Sequence, residues 1–383
     1  MASFDGFSHE QWTQKANFGG IGRHRTTGFS IGNKGYIGGG HINSGTSTYH
    51  EDYWQYDPTS DSWTQIADFG GGKRYHSSAF TIDGFGYVGL GEDDDDNYHN
   101  DFYRYVPQLN IWQAIASYPG NPRRGASSFV INSEGYVGCG QSDFGYQNDF
   151  YKYIPEDNEW YTIEPFLGEA RSSAVGFSHD GKGYVGTGHI FGDDTKDFYE
   201  YDPFSNSWTQ KADVGTTNRQ DATGFVVNGH AYLGTGNDVD ANFNFKDFWQ
   251  YDFELDEWTQ FNDFGGEGRR YMVSFVIGER AYAGTGTDGT NLRDFWAFDP
   301  LLSTTETDLV TTTIYPNPST DEIKVNTQLT TLDFKVYNTS GQVVWQESES
   351  IDRVVKKSDV GKGSFLLQIS SDDVIVTKLI EFL

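Results

Sequence analysis

A single register runs through the first 300 or so residues and restricts what they can fold into. Trp12, Trp63, Trp112, Trp160, Trp208 and Trp258 lie 51, 49, 48, 48 and 50 residues apart. A tyrosine follows each tryptophan by 24 residues, at Tyr36, Tyr87, Tyr136, Tyr184, Tyr232 and Tyr282. An arginine stands 13 residues before each tyrosine, at Arg23, Arg74, Arg123, Arg171, Arg219 and Arg269. An acidic-aromatic stretch then starts at Asp52, Asp101, Asp149, Asp197, Asp247 and Asp294. Several offsets kept through six units mark one supersecondary element stacked six times.

Each unit reads as four strands, a to d. Strand a is apolar, as in SSFVI (Ser127 to Ile131); strand b follows a Gly-containing turn, as in GYVGLG (Gly86 to Gly91). Strand c is of the type DFYRY (Asp101 to Tyr105), with the alternation of a pleated surface, and a turn such as DPTSDSW leads to strand d and its tryptophan. The composition agrees: 29 Phe, 24 Tyr, 10 Trp and 46 Gly against 2 Met favour short strands and tight turns over helices. Gly-rich, aromatic, four-stranded units of this period predict β-propeller blades. Trp lies 11 residues beyond the strand-c Asp in the first five units, but the sixth has Thr305 there, and Trp12 is unmatched. The strand around Trp12 is therefore expected to complete the sixth blade and leave no open edge.

These segments resemble the Kelch family. GYIGGG, GYVGLG, GYVGCG, GYVGTG, AYLGTG and AYAGTG are similar to its double-glycine strand, and Tyr56 to Trp63 and Tyr201 to Trp208 to its second half. Only the first unit keeps its adjacent glycines in full, at Gly38 to Gly40. The likeness covers residues 1–302 and implies a six-bladed, all-β propeller. Residues 303–313 are Thr-rich and read as a linker. Residues 314–383 hold about seven short alternating strands, expected to form a small antiparallel sandwich. They resemble the type A C-terminal sorting domain of the bacterial type IX secretion system, on Tyr315, Pro316, Asn317 and Pro318, the VYNTSGQVV element containing Gly341, and the strand at Gly363. Phe365 stands where that family has Tyr.

That resemblance implies export through the outer membrane and a secreted or cell-surface destination, with the type IX machinery as a partner. Such a route needs a signal peptide; none is visible in MASFDGFSHE, so the chain is expected to be a mature form or to carry a misassigned start. A net charge of −28 argues against nucleic acid and anionic membranes as partners. No stretch approaches the apolar length of a spanning helix. The lone Cys139 excludes an intrachain disulfide and a Cys-rich zinc site.

Alternating strand directions place the d–a and b–c loops on one face. The distance from Tyr to the strand-c Asp varies as 16, 14, 13, 13, 15 and 12, so length variation collects in the b–c loops. Unequal loops on a rigid frame are how scaffolds present binding surfaces, and the site is expected there. The six repeated arginines read either as a receptor for carboxylates around the opening or as partners of the six strand-c aspartates. Cations that break the symmetry, Arg25, Arg124 and Arg270, with His24 and His76, are the better ligand-binding candidates. Tyr49, Tyr98, Phe144, Tyr146, Phe191, Phe243 and Phe245 fall in the b–c loops and suit stacking on sugar. Asp93, Asp95 and Asn97, and likewise Asp238, Asp240 and Asn242, form Asp-x-Asp-x-Asn runs whose oxygens suit calcium, although Tyr98 and Phe243 stand where an EF-hand has Gly. A solvated acidic loop is the alternative.

GFSIG (Gly28 to Gly32) and GTGTDG (Gly284 to Gly289) match catalytic and dinucleotide motifs, but both lead into strands and are by-products of the repeat. Some Kelch-like propellers are enzymes. Cys139 sits in the variable slot of strand b and reads as a packing residue, which argues against galactose-oxidase-like copper chemistry. Six-bladed sialic acid mutarotases and epimerases are the enzymatic alternative, with Arg25, Arg124, Arg270, His24 and His76 at the channel mouth. The sequence favours a secreted binding module that presents loops to a glycan or surface protein. A closed pocket of convergent ionisable groups would favour the enzyme, and a broad aromatic shelf the binder.

Overall fold

The computed structural model describes residues 11–43, 47–239, 243–300, 313–326, 332–338, 342–350, 354–371 and 374–383. The chain divides into two compact units, Met1–Ser303 and Thr304–Leu383. The first unit holds six four-stranded antiparallel sheets in the order a-b-c-d. Thr27–Ile31, Lys34–Gly38, Tyr53–Asp57 and Ser62–Gln65 form the first blade. The sixth combines Val273–Ile277, Arg280–Gly284 and Phe295–Phe298 with the N-terminal Trp12–Lys15, Trp12 facing Phe298. The ring thus closes on its first strand, as the unmatched Trp12 indicated.

Why aromatic and glycine positions repeat is visible at each blade boundary. The strand-a Phe stacks on the strand-b Tyr of its own blade, as Phe29 does on Tyr36 at 5.0 Å between ring centres. The same Phe ring lies over the strand-b glycine of the next blade: a Cβ on Gly86 would stand 2.2 Å from Phe29. The strand-d indole then reaches back, Trp63 Nε1 donating to the carbonyl of Ala16 and Trp112 Nε1 to that of Ala67. Ring, small strand-b residue and indole form one packing unit, with glycine in blades one to four and Ala231 and Ala281 in blades five and six; only the Trp12 indole, at the closure, lacks an acceptor.

The b–c connections carry the variation. Blades one, three and five add two-stranded hairpins, at His41–Ile42 with Thr48–Tyr49, Gln141–Ser142 with Gly145–Tyr146, and Asn237–Asp238 with Phe243–Asn244. In blade four the strands themselves lengthen, to Lys182–Ile190 and Asp193–Asp202.

The second unit has two antiparallel sheets, one of three strands (Thr313–Tyr315, Glu322–Asn326, Val354–Lys356) and one of four (Leu332–Tyr337, Val343–Ser350, Gly363–Ser371, Val374–Phe382). Ile323, Val325 and Val355 from the first pack with Phe334, Val336, Leu367, Ile369 and Ile380 from the second. Asn317 Oδ1 accepts from the Glu381 backbone at 2.8 Å, which ties the Tyr315–Pro318 stretch to the last strand. Gly363 opens the third strand of the larger sheet at φ +134°; Gly341 lies outside the described residues.

Candidate functional site at the channel mouth

The six repeated arginines are the innermost support of the site. Each guanidinium grips the strand-c aspartate of its own blade with two bonds, as Arg74 does Asp101 at 2.7 and 3.0 Å and Arg219 does Asp247 at 2.9 and 2.8 Å. Each also donates to the carbonyl of the middle residue in the G-x-G segment, as Arg123 does to Cys139 at 2.9 Å. All six are buried, at 0 to 4% exposure. Burial alone would raise the carboxyls of Asp52, Asp197, Asp247 and Asp294. The guanidinium bonds outweigh it and hold them below the usual range. The backbone joins neighbouring blades: the amide of Gly40 donates to the carbonyl of Arg74, Gly91 to Arg123, and so on round to Gly286 with Arg23. The carboxylate-receptor reading of this ring is therefore corrected, because the guanidinium ends are buried and committed to the strand-c aspartates, with only the buried Nε–H groups of Arg74 and Arg219 left over among the six.

One residue further on, His24, Tyr75, Arg124, Ser172, Gln220 and Arg270 bridge to His41, Glu92, Gln141, His189, Asn237 and Thr287 at the ends of strand b. Arg124 pairs with Glu92 and with the Tyr75 hydroxyl, and takes the Gln141 Oε1 at 3.1 Å. Its guanidinium lies over the rings of Tyr75 and Tyr98, 5.6 and 5.7 Å from their centres. His24 stacks on Tyr271 at 5.4 Å and meets His41 at 4.2 Å. Burial, with further repulsion from nearby cations, pushes His24 down to about 4 and His41 to about 3, so both are neutral near pH 7.

Two residues beyond each repeat arginine stand Arg25, His76, Gly125, Ser173, Asp221 and Tyr271, at φ of 54, 57, 63, 58, 55 and 59°. Their backbones chain round the axis, His76 N to Arg25 O, Gly125 N to His76 O, Ser173 N to Gly125 O, Asp221 N to Ser173 O and Tyr271 N to Asp221 O. This inner ring separates two cavities. The outer, about 260 Å³, is lined by Arg25, His76, Arg124, Tyr146, His189 and Tyr271 among others. The inner, about 190 Å³, is lined by Arg25, His76, Gly125, Asp221, Tyr271 and the first residues of the strands a.

Arg25 spans both cavities. It bonds the Tyr271 hydroxyl and lies 4.1 Å from that ring's centre, while its Nε–H has no acceptor. Asp221 is 1% exposed at its side chain, and neither oxygen has a hydrogen-bond partner of good geometry. His76 Nε2 stands 4.0 Å from it, and the Ser173 hydroxyl 3.4 Å from the same nitrogen. Burial pushes the Asp221 carboxyl above the usual range, with Arg25 the strongest pull the other way. Burial, then Arg25 and Arg124, keep His76 neutral.

Residues 313–381 match the family described as secretion system C-terminal sorting domain. The chain is similar to the solved structure titled "Structure of YjhT", at TM-score 0.62 and 18% identity, covering 74% of this chain and 97% of that one. The chain is an all-β propeller of six four-stranded sheets followed by a segment that matches the sorting-domain family. At that identity the structural likeness speaks for the fold. No curated protein sequence matches the chain.

Within the propeller, the sequence candidates separate by place. Arg25, His76, His24, Arg124, Arg270, Tyr98 and Tyr146 gather at the mouth; Arg270 stands over Tyr271 at 5.7 Å and Tyr146 edges onto His189 at 5.5 Å. Tyr49 packs behind them on His41 and Tyr75. Phe144, Phe191 and Phe243 are 81, 93 and 57% exposed, whereas Phe245 is buried beneath Arg219. The acidic loop of blade two is organised by Asp93, whose Oδ1 accepts from the backbones of Asp95 and Asn97 at 2.9 and 3.0 Å and whose Oδ2 meets His99 at 2.8 Å. Asp238 pairs with Phe243 in the small ladder of blade five; Asp240 and Asn242 lie outside the described residues. Among the described residues no cluster of three or more His, Cys, Asp or Glu is arranged to hold a metal. Sequence reasoning missed Asp221, Tyr271, Ser173 and Gly125. The signal that would have found them is positional: the residue two past each repeat arginine.

Proposed function

We propose that the chain is an exported propeller whose channel mouth binds a small acidic sugar. Export by the type IX route follows from the sorting domain. The observation that carries the ligand class is the convergence on one pair of cavities of Arg25, with an unused Nε–H, and the buried Asp221, which the Ser173 and Tyr271 hydroxyls approach without hydrogen bonds of good geometry. An acid with hydroxyls supplies what both lack, an anion for the guanidinium and donors for the carboxylate. The neutral histidines leave the arginines as the net positive groups there. Isolated exposed rings on the hairpin tips favour this mouth over a loop-borne aromatic shelf.

A second reading is supported by the 4.0 Å approach of His76 to Asp221. Anomer exchange of a sugar acid needs a proton taken from the anomeric hydroxyl and one given to the ring oxygen. A carboxyl whose affinity for a proton is raised by burial, beside an unprotonated imidazole, suits that exchange. The test uses the full chain and isothermal titration with N-acetylneuraminate, glucuronate and galactose. Both acids should bind and galactose should not. Arg25→Met should weaken the acids by about tenfold or more, the worth of a hydrogen bond to a charged group. Equal binding of galactose would overturn the ligand class, and proton NMR of freshly dissolved N-acetylneuraminate separates an anomerase from a binder.

A further inference from the structure

The propeller exposes apolar side chains unevenly round its axis. On the face that carries the d–a and b–c loops, the described residues of blades three to five leave Phe144, Phe191, Val239 and Phe243 at 81, 93, 50 and 57% exposure, all in b–c connections. Leu167, 61% exposed, lies with them: it follows Phe166, whose amide donates to the carbonyl of Asn148 in the b–c loop of blade three. Where Leu167 stands, the other blades have Gly19, Gly70, Pro119, Gly215 and Gly265. Across blades six, one and two, the described residues of the same face expose one large apolar side chain, Ile21. The tips of blades three to five are also braced to one another. Tyr146 edges onto His189 at 5.5 Å, His189 Nδ1 meets Asp194 Oδ1 at 2.7 Å, and Asp194 Oδ2 accepts from the Val239 amide at 2.8 Å. Each apolar tip has a carboxylate near it in the chain: Asp143 before Phe144, Glu169 after Leu167, Asp193 after Phe191 and Asp238 before Val239. Segments 141–146, 189–194 and 237–244 hold five aspartates and no lysine or arginine.

We infer that this sector is a docking surface for a basic protein, which receives the Phe144 and Phe191 rings in apolar pockets and sets lysines or arginines against the neighbouring aspartates. Apolar groups gathered on one sector and held by a shared brace mark an interaction site, whereas singly scattered ones do not. Aromatic rings seated in pockets are the usual anchors of such a contact, and complementary charge at its rim steers the approach. Charge also decides the class of partner. A second copy of this chain, with its net charge of −28, or an anionic membrane would bring negative charge against the aspartates. Rings carried on separate turns suit separate pockets better than the continuous face of a sugar chain. The inference stands apart from the acidic-sugar reading, since none of the five apolar side chains lines either cavity at the mouth.

The test is interferometry of the full chain over two immobilised peptides, one alternating lysine with leucine and the other alternating lysine with serine. The unmutated chain should bind the leucine peptide tighter by about tenfold or more, the scale of one or two buried anchors. Phe144→Ser combined with Phe191→Ser should bring the leucine peptide down to the level of the serine peptide. Phe204→Ser is the control: that ring is 99% exposed in the c–d turn of blade four, on the opposite face, and its loss should change nothing. Asp143→Asn combined with Asp193→Asn should keep the preference for leucine, weaken both peptides by about tenfold and flatten their dependence on salt. All five substituted side chains are exposed, so the variants keep the fold, which circular dichroism checks. Equal binding of the two peptides by the unmutated chain, or failure to bind either, would overturn the inference. So would an equal loss on Phe204→Ser. Binding of cellohexaose that the paired Phe variant abolishes would overturn it as well and mark the tips as a glycan site.

Discussion

Asp221 is where structure and function pull against each other, and Asp221→Asn measures the tension. The side chain is 1% exposed, and neither oxygen has a partner of good geometry. A buried acceptor left unsatisfied costs about 1–3 kcal/mol, more when charged. Asparagine keeps the shape and removes the charge. The sign with pH follows from linkage. The folded-state pKa is raised, so the unfolded chain gives up its proton first as pH climbs. The penalty is absent at acid pH, grows as pH rises past the ordinary aspartate range, and is complete above the folded-state pKa. Asp221→Asn should therefore be more stable than the unmutated chain by about 1–3 kcal/mol at pH 7.5, with the gap closing below about pH 4. Urea unfolding followed by tryptophan fluorescence suits the purpose, because nine of the ten tryptophans precede residue 300 and report the propeller. The same variant should lose affinity for the acid. A variant less stable than the unmutated chain at pH 7.5 would refute the reasoning, since it would mean that the carboxylate is a structural anchor.

The other perturbations act on the frame. Arg123→Met leaves Asp149 without its two bonds and the Cys139 carbonyl without its donor; it should cost about 3–5 kcal/mol in the same urea assay, the scale of breaking a buried pair from one side. Trp12 packs on Phe225, Phe248, Phe264 and Phe298 where the ring closes; Trp12→Ala should cost about 3–5 kcal/mol and raise amide hydrogen exchange first in Phe295–Phe298, the strand it latches. Gly86→Ala forces a methyl into the Phe29 ring and should cost about 1–3 kcal/mol or more, whereas the same change at Gly84, where a Cβ meets nothing, should cost only the strain of its φ of +82°.

What the sequence disclosed depended on whether a position was fixed by the repeat or by a loop. Trp, Tyr, Arg and Asp recur at set offsets because each is locked to a neighbouring blade or to its own, so blade count, closure and the Arg–Asp pairs could be read by counting. The ring residues were within reach of the same count, and a search for surplus cations passed over them: it found Arg25 and His76 by charge but not Asp221, Ser173, Gly125 or Tyr271, whose chemistries have nothing in common but their place. Loop residues resist counting forward from strand b, where lengths differ. Counted back from strand c, Phe245 stands two before Asp247, as His50 does before Asp52 and His99 before Asp101. His50, His99 and Phe245 each donate their amide to the second glycine of the G-x-G segment, at Gly40, Gly91 and Gly236. That places Phe245 under Arg219 and out of reach of a ligand. Phe144, Phe191 and Phe243 have no such anchor, and hydrophobicity in a loop does not by itself say which way a ring turns. In a propeller of this kind the frame fixes six equivalent places round the axis, and the proposed binding site rests on the six residues allowed to differ there.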